Sequence, residues 1–237
     1  MKTLILFIFT LVTTSALAGF ESPFESSIEN LTVPNSHYVG SEWVIRGQTP
    51  RNLEEYQQLK ELGVKKVLIF KNETKNEVQT EIQTLNKLKI KSKHIEFPWK
   101  EITNFVPVCE NAKMALKWIK QNEASNETTF FHCTVGEDRT GLLAGLILLS
   151  NESGLSVKSV YKDELCAKGY EAGDPNKNAG VSKTVRENLT PVFLKMTYLL
   201  KKSHNDVNAI NCNYDFDSDL SFNKSIYNQS ASFRCGY

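Results

Sequence analysis

"FFHCTVGEDRTGLLAGL" (residues 130–146) places one apolar run on each side of a short polar hinge with a glycine near its centre. The reading it invites is a strand ending at His132, a turn from Cys133 to Arg139, and a helix opening at Thr140. Such a turn wraps backbone N–H groups around one point, and the positive end of the helix faces the same point. The result is an anion nest sized for one phosphate, built from Thr134, Val135, Gly136, Glu137, Asp138 and Arg139. Gly136 admits a tight backbone conformation that a side chain would obstruct. Gly141, in the first helical turn, predicts close packing of this helix on the sheet.

The field that gathers a phosphate also acts on the cysteine. A thiol at a helix N-terminus among converging donors has its pKa lowered to about 3.5–7.5, so Cys133 is predicted to be a thiolate nucleophile. Arg139 offers a planar fork to two phosphoryl oxygens and tightens as charge spreads over them. The Thr140 hydroxyl can donate to the sulfur and stabilise it as a leaving group. A buried core cysteine beside a surface arginine would leave this combined arrangement unexplained.

Outward from the hinge, strands and helices alternate. Strands are predicted at 43–47, 64–70, 92–97 and 128–132, and helices at 49–63, 76–90, 108–121, 140–150, 156–168 and 183–202. Pro191 predicts a kink in the last of these, or a first helical position after a break. The pattern gives an α/β domain, a small central sheet flanked by helices, with a phosphate-binding loop between strand and helix.

"HCTVGEDRTG" (132–141) resembles the His-Cys-(five residues)-Arg-(Ser/Thr)-Gly signature of the cysteine-dependent protein tyrosine and dual-specificity phosphatases. Upstream, "VIRGQTP" (44–50), "LGVKKVLIF" (62–70) and "KHIEFPW" (93–99) follow the order of the compact dual-specificity-like members. The resemblance covers residues 38–200 as an architecture and is specific at the residue level only in the hinge. It implies phosphomonoester hydrolysis through a cysteinyl-phosphate, with Cys133 as nucleophile, Arg139 as clamp, His132 organising the loop by hydrogen bonding, and no metal or other cofactor.

The resemblance also calls for an acid to protonate the leaving oxygen. Relatives place an Asp on the loop that here reads "FPWKEITNF" (97–105), which has none, so Glu101 would stand in. Asp138 is the second candidate, since some relatives carry Asp directly before the arginine. Asp138 is preferred because the motif itself puts it beside the chemistry. The substrate is a phosphorylated small molecule or protein, either a phosphotyrosine or aryl ester or an inositol phosphate. Acidic Glu137 and Asp138 oppose a polyanion unless Lys100, Lys177 or Lys183 reach the pocket.

Residues 1–18 read as a secretory signal, with Lys2, the apolar "LILFIFTLV" and a cleavage site near Ala18. The expected organisation is a signal peptide (1–18), an irregular leader (19–36), a phosphatase domain (37–202) and a polar extension (203–237). Export places the mature chain in a periplasm or outside the cell, without a membrane span. Lys2 is the one charge in that segment, so removal leaves 27 basic against 27 acidic residues. A balanced chain gives no electrostatic case for nucleic acid as a partner, and nothing in the pattern specifies an oligomeric state. The odd count of five cysteines suggests two disulfides and a free Cys133; Cys109, Cys166, Cys212 and Cys235 can pair in three ways. Seven Asn-x-Ser/Thr sequons occur, but they do not say whether the host glycosylates them. Two other classes compete with the enzyme reading: a catalytically inactive phosphate-binding module, and a rhodanese-like sulfurtransferase using the same thiol. Intact Cys133 and Arg139 speak against the first. The Arg-Thr-Gly helix start is unexplained by the second.

Overall fold

β5 (Thr129–His132) is the middle strand of a five-stranded sheet, and all four of its residues are buried. The computed structural model describes residues 22–152 and 154–236; the signal segment lies outside the described residues. In chain order the elements are β1 (His37–Val39), β2 (Ser41–Gly47), α1 (Leu53–Glu61), β3 (Lys66–Ile69), α2 (Glu77–Lys87), β4 (Lys91–His94), α3 (Phe105–Ala124), β5, α4 (Asp138–Asn151), α5 (Val157–Val160), α6 (Ala179–Lys202) and α7 (Leu220–Asn223). The sheet order is β1-β2-β5-β3-β4; β1 is antiparallel to β2 and the other pairings are parallel. The expected α/β architecture is therefore present. β1, an edge strand of three residues, is too short to show a period and was not among the expected strands.

Period-two alternation divides the apolar residues between two cores. Val44, Leu68 and Phe131 face a large core with α3, α4 and α6, whereas Ile45, Val67, Ile69 and Phe130 face a smaller one with α1 and α2. Parallel strands covered on both faces read as near-continuous apolar runs, which is why "VLIF" and "TFF" carried no alternation in the sequence. Register puts Gly47 and Ile69 on either side of His132, so the loop after β5 emerges between two flanking strand ends.

Several helix boundaries move for local reasons. α1 begins at Leu53 because Asn52 caps it, accepting from the Glu55 N–H; Thr49 to Arg51 are left as loop beside the hinge. α6 begins at Ala179, capped by Asn178, and continues unbroken through Pro191, so the break alternative does not hold. The helix expected over 156–168 is three forms in succession, α5, a π turn (Tyr161–Leu165) and a 3₁₀ turn (Cys166–Lys168).

The leader and the extension are packed onto the domain. Ile28, Leu31 and Val33 enter the smaller core, and Val207, Ile210, Phe216, Phe222 and Phe233 enter the larger one. Phe216 stacks edge-on to Phe105 of α3 at 5.3 Å and lies 4.7 Å from Phe222. The disulfides are Cys109–Cys212 and Cys166–Cys235, so each bridge ties the tail to the domain and neither closes the tail on itself. Among the described residues, no helix is long and apolar enough to cross a membrane.

The bridges close loops with sequence separations of 103 and 69 residues, and losing a native disulfide of this kind costs about 2–5 kcal/mol. Thiol titration of the denatured, unreduced chain should find one thiol, and five after reduction. The Cys109→Ser/Cys212→Ser variant should show a denaturation midpoint lowered in keeping with that cost.

Candidate active site

Cys133 directly follows β5 and is 1 % exposed, so the sulfur lies at the floor of the loop. Its N–H donates to Thr140 Oγ1 at 2.8 Å, closing the turn across seven residues. Burial pushes the thiol up, but the Arg139 guanidinium and hydrogen bonding from Thr140 outweigh it and hold Cys133 below the ordinary thiol range; Asp138 pushes weakly the other way.

The loop's carbonyls are tied outward. Cys133 O accepts from Thr49 Oγ1 at 2.6 Å and lies 2.9 Å from His132 Nδ1; Thr134 O accepts from the Thr49 N–H at 3.3 Å. Gly136 O accepts from Arg46 at 2.6 Å and from Asn35 Nδ2 at 3.1 Å. In a trans peptide the N–H points opposite to its carbonyl, so the N–H groups of Thr134, Val135 and Glu137 face away from those partners, to the inner side of the turn. Among the described residues none of these N–H groups, nor that of Gly136, has a hydrogen-bond partner. Unpaired N–H groups at buried positions such as Gly136 and Glu137 are rare, and with those of Thr134 and Val135 they make four donors in succession beside a thiol, an oxyanion site.

Gly136 has φ +72°, and a Cβ there would stand 2.5 Å from the carbonyl of Gly47. Only glycine fits. At Gly141 a Cβ would meet Tyr170 and Leu165 at ordinary contact distance, so the close packing expected there does not occur; it lies one turn on, at Gly145, against Leu165 and Phe193, and involves helices, not the sheet.

Arg139 is buried, and its fork donates through Nη1 to Phe97 O at 3.3 Å and through Nη2 to Thr134 Oγ1 at 3.1 Å. Through Phe97 it touches the root of the loop that carries Glu101. Glu101 itself is exposed, with φ +57°, at the tip of that loop. Asp138 is buried beneath the turn. Its Oδ1 accepts from Lys177 Nζ at 2.8 Å and from the Glu171 N–H at 2.9 Å, so any proton it carries sits on Oδ2. Glu137 accepts from Ser22 Oγ at 2.8 Å and pairs with Lys177 at 2.9 Å; burial pushes its carboxyl above the usual range despite that cation.

The three candidate lysines have other occupations. Lys177 is buried between Glu137 and Asp138 and also donates to Gly169 O, neither reaching for a second phosphate nor standing in solvent. Lys100 lies over the Trp99 ring at 5.9 Å, and Lys183 is exposed and near Glu187 at 3.8 Å. His132 sits 2.8 Å from Glu81 Oε1 through Nε2, at an angle poor for a hydrogen bond, with Thr49 on its other nitrogen.

Sequence reasoning missed the residues that hold the loop from outside. Arg46 of β2 is wholly buried and pairs with Glu164, which also takes Lys168 at 2.6 Å. Asn35 receives His37 Nε2 at 2.9 Å, and burial, then Lys168 and Arg46, lower the His37 pKa to about 4, so its ring is neutral. The available signal was the lone arginine in "WVIRG", a charge inside an apolar strand.

The sequence model of the tyrosine phosphatase family matches residues 28–196, and the chain belongs to that family. The solved core catalytic domain of the PP-IP phosphatase SIW14 from S. cerevisiae is similar, with 22 % identity over 73 % of this chain and 95 % of that one, and a TM-score of 0.49. P. aeruginosa TpbA is 17 % identical over 73 % of this chain and 96 % of its own, with a TM-score of 0.50. A putative phosphatase from Shewanella putrefaciens CN-32 is 19 % identical over 56 % and 83 %, with a TM-score of 0.47. No curated protein matches the sequence. The fold is dual-specificity-phosphatase-like, and family membership sets the sulfurtransferase alternative aside.

Because opposite charges flank the thiol, two variants should move its titration in opposite directions. Alkylation by iodoacetamide should keep its full rate well below pH 8.5, the ordinary thiol pKa. Arg139→Met should shift the midpoint up and Asp138→Asn should shift it down, as read from the pH dependence of the alkylation rate.

Proposed function

We propose that this protein hydrolyses phosphomonoesters outside the cytoplasm through a cysteinyl-phosphate intermediate. The observation that carries the reading is the row of unpaired N–H groups from Thr134 to Glu137 beside a thiol held below its ordinary pKa. The phosphoryl oxygens occupy those donors and the Arg139 fork. Cys133 Sγ attacks phosphorus while the ester oxygen departs, taking a proton from Asp138 Oδ2. Water then attacks the cysteinyl-phosphate, Asp138 recovers its proton, and Thr140 stabilises the departing thiolate. Asp138 is preferred to Glu101 as the acid because it is fixed beside the thiol and acts on its charge, whereas Glu101 is exposed.

For the substrate, the disposition of the lysines favours a single phosphate. Lys177 is committed to Glu137 and Asp138, and Lys100 and Lys183 have neighbours of their own. A phosphotyrosine-like or other aryl monoester therefore fits better than an inositol ring crowded with phosphates. Export is supported by the character of residues 1–18 and by two disulfides beside one free thiol, a pattern of oxidising compartments.

Phosphate release should be lost by roughly a thousandfold or more in Cys133→Ser. Rapid acid quenching of the native protein should recover phosphate bound to Cys133, and aryl phosphates should outpace inositol hexakisphosphate. Undiminished hydrolysis with no trapped phosphocysteine would sink the mechanism, and faster turnover of the hexakisphosphate would sink the substrate preference.

A further inference from the structure

Glu171 combines three features not accounted for by the chemistry above. It is a buried non-glycine residue with φ +53°, in the left-handed region. Its backbone N–H is one of the two donors on Asp138 Oδ1. Its own carboxylate, 1 % exposed, faces the C-terminal tail, where Oε2 accepts from the Cys235 N–H at 3.0 Å and lies 3.2 Å from the Tyr161 hydroxyl. Arg186 approaches Oε1 at 3.4 Å. A residue in this backbone conformation persists only where its surroundings over-determine it, and such positions gather at functional sites.

The surroundings that determine Glu171 come from the tail. The Cys166–Cys235 disulfide fixes Cys235 beside the turn, and Phe233 packs edge-on to Tyr161 at 5.1 Å while its carbonyl lies 3.3 Å from the Tyr161 hydroxyl. Cys166 itself opens the 3₁₀ turn (Cys166–Lys168) that precedes the Glu171–Gly173 turn. A continuous chain of contacts thus runs from the disulfide, through the Cys235 N–H and the Glu171 carboxylate, to the Glu171 N–H and Asp138. Lys177, the other donor on Asp138, leaves the same segment six residues later and is anchored on Gly169 O, just before the turn.

We propose that Glu171 is a positioning residue for Asp138 and that the Cys166–Cys235 bridge holds Glu171 in that pose. The disulfide-bound tail is then part of the apparatus that presents Oδ2 of Asp138 to the leaving oxygen. The backbone whose N–H is bonded to Oδ1 is left-handed at Glu171, and the carboxylate's bond to the tail opposes relaxation of this turn to an ordinary conformation. This inference rests on the reading of Asp138 as the proton donor.

The test uses leaving-group dependence, which separates proton donation from general loss of structure. An alkyl phosphate needs the proton on its departing oxygen; 4-nitrophenyl phosphate scarcely does. Glu171→Ala and Cys166→Ser/Cys235→Ser should each lower kcat on the alkyl ester by about tenfold or more, since small misplacements of a catalytic group cost up to about a hundredfold. On 4-nitrophenyl phosphate kcat should stay within about twofold of native, which also reports an intact Cys133 loop. Glu171→Gln keeps an oxygen for the Cys235 N–H and should stay within about twofold on both esters. Equal losses on both esters, or none, in the Ala and double-Ser variants would overturn the proposal. Asp138→Asn is the control for the underlying reading: if it shows no selective loss on the alkyl ester, that reading fails and this inference with it. If Asp138→Asn shows the selective loss and the tether variants do not, the inference alone fails.

Discussion

The site depends on the direction in which one loop turns its peptide groups. A seven-residue turn has as many carbonyls as N–H groups, and left to itself could present either to its centre. Here the carbonyls of Cys133, Thr134 and Gly136 are each drawn outward, by Thr49, His132, Arg46 and Asn35. Their partner N–H groups have only one remaining direction. The same donors that satisfy the outer rim therefore create the anion site within it. The thiol at its start is lowered by Arg139 and Thr140, which close the other end of the same turn.

That arrangement sets buried charges close together, and each cation is shared in a way that fits this. Arg46 joins Glu164 and Gly136 O; Glu164 in turn takes Lys168. Lys177 joins Glu137, Asp138 and Gly169 O. Removing one member of such a buried group leaves an uncompensated charge, at a cost of about 3–5 kcal/mol, far more than any exposed pair contributes. Arg139 differs. Its two protein acceptors are a carbonyl and a hydroxyl, both neutral, at 3.3 and 3.1 Å. Its charge is balanced by the thiolate and, in the proposed reaction, by the phosphoryl oxygens that the loop collects. Arginine is matched to carboxylate elsewhere in the scaffold, and to the reacting groups here.

What could be read from the sequence divides along chain distance. The strand, turn and helix around Cys133 were legible because ten adjacent residues carry the whole local geometry, and the apolar runs of β3 and β5 marked a buried sheet. Arg46 and Asn35 lie 90 and 101 positions from Gly136; the β2-β5 pairing brings Arg46 to it, and the packed segment before β1 brings Asn35. Lys177, 39 positions from Asp138, was legible as a cation near the pocket, but its partners were not: sequence offered substrate or solvent, and the fold supplied two carboxylates. Three disulfide pairings were equally open on paper because none is favoured by spacing. The tail's low periodicity disguised aromatic residues that pack singly, Phe216 from a bend, Phe222 from the short α7 and Phe233 from irregular chain, and not along one face of a long helix.

The two bridges also bear on the survival of a reactive sulfur. A thiolate is the form that attacks disulfides as well as phosphorus, so in an oxidising compartment four unpaired cysteines beside Cys133 would be four routes to a mispaired chain. Pairing them removes the competitors, and Cys109, Cys212 and Cys235 are buried in the larger core with the tail packed around them. At 1 % exposure the sulfur offers almost no surface to another protein's cysteine. In the proposed reaction, phosphate binding and protection from thiol exchange would draw on the same loop: widening it would weaken both together, because it would lengthen the N–H to oxygen contacts that hold the anion and admit bulkier oxidants to the sulfur.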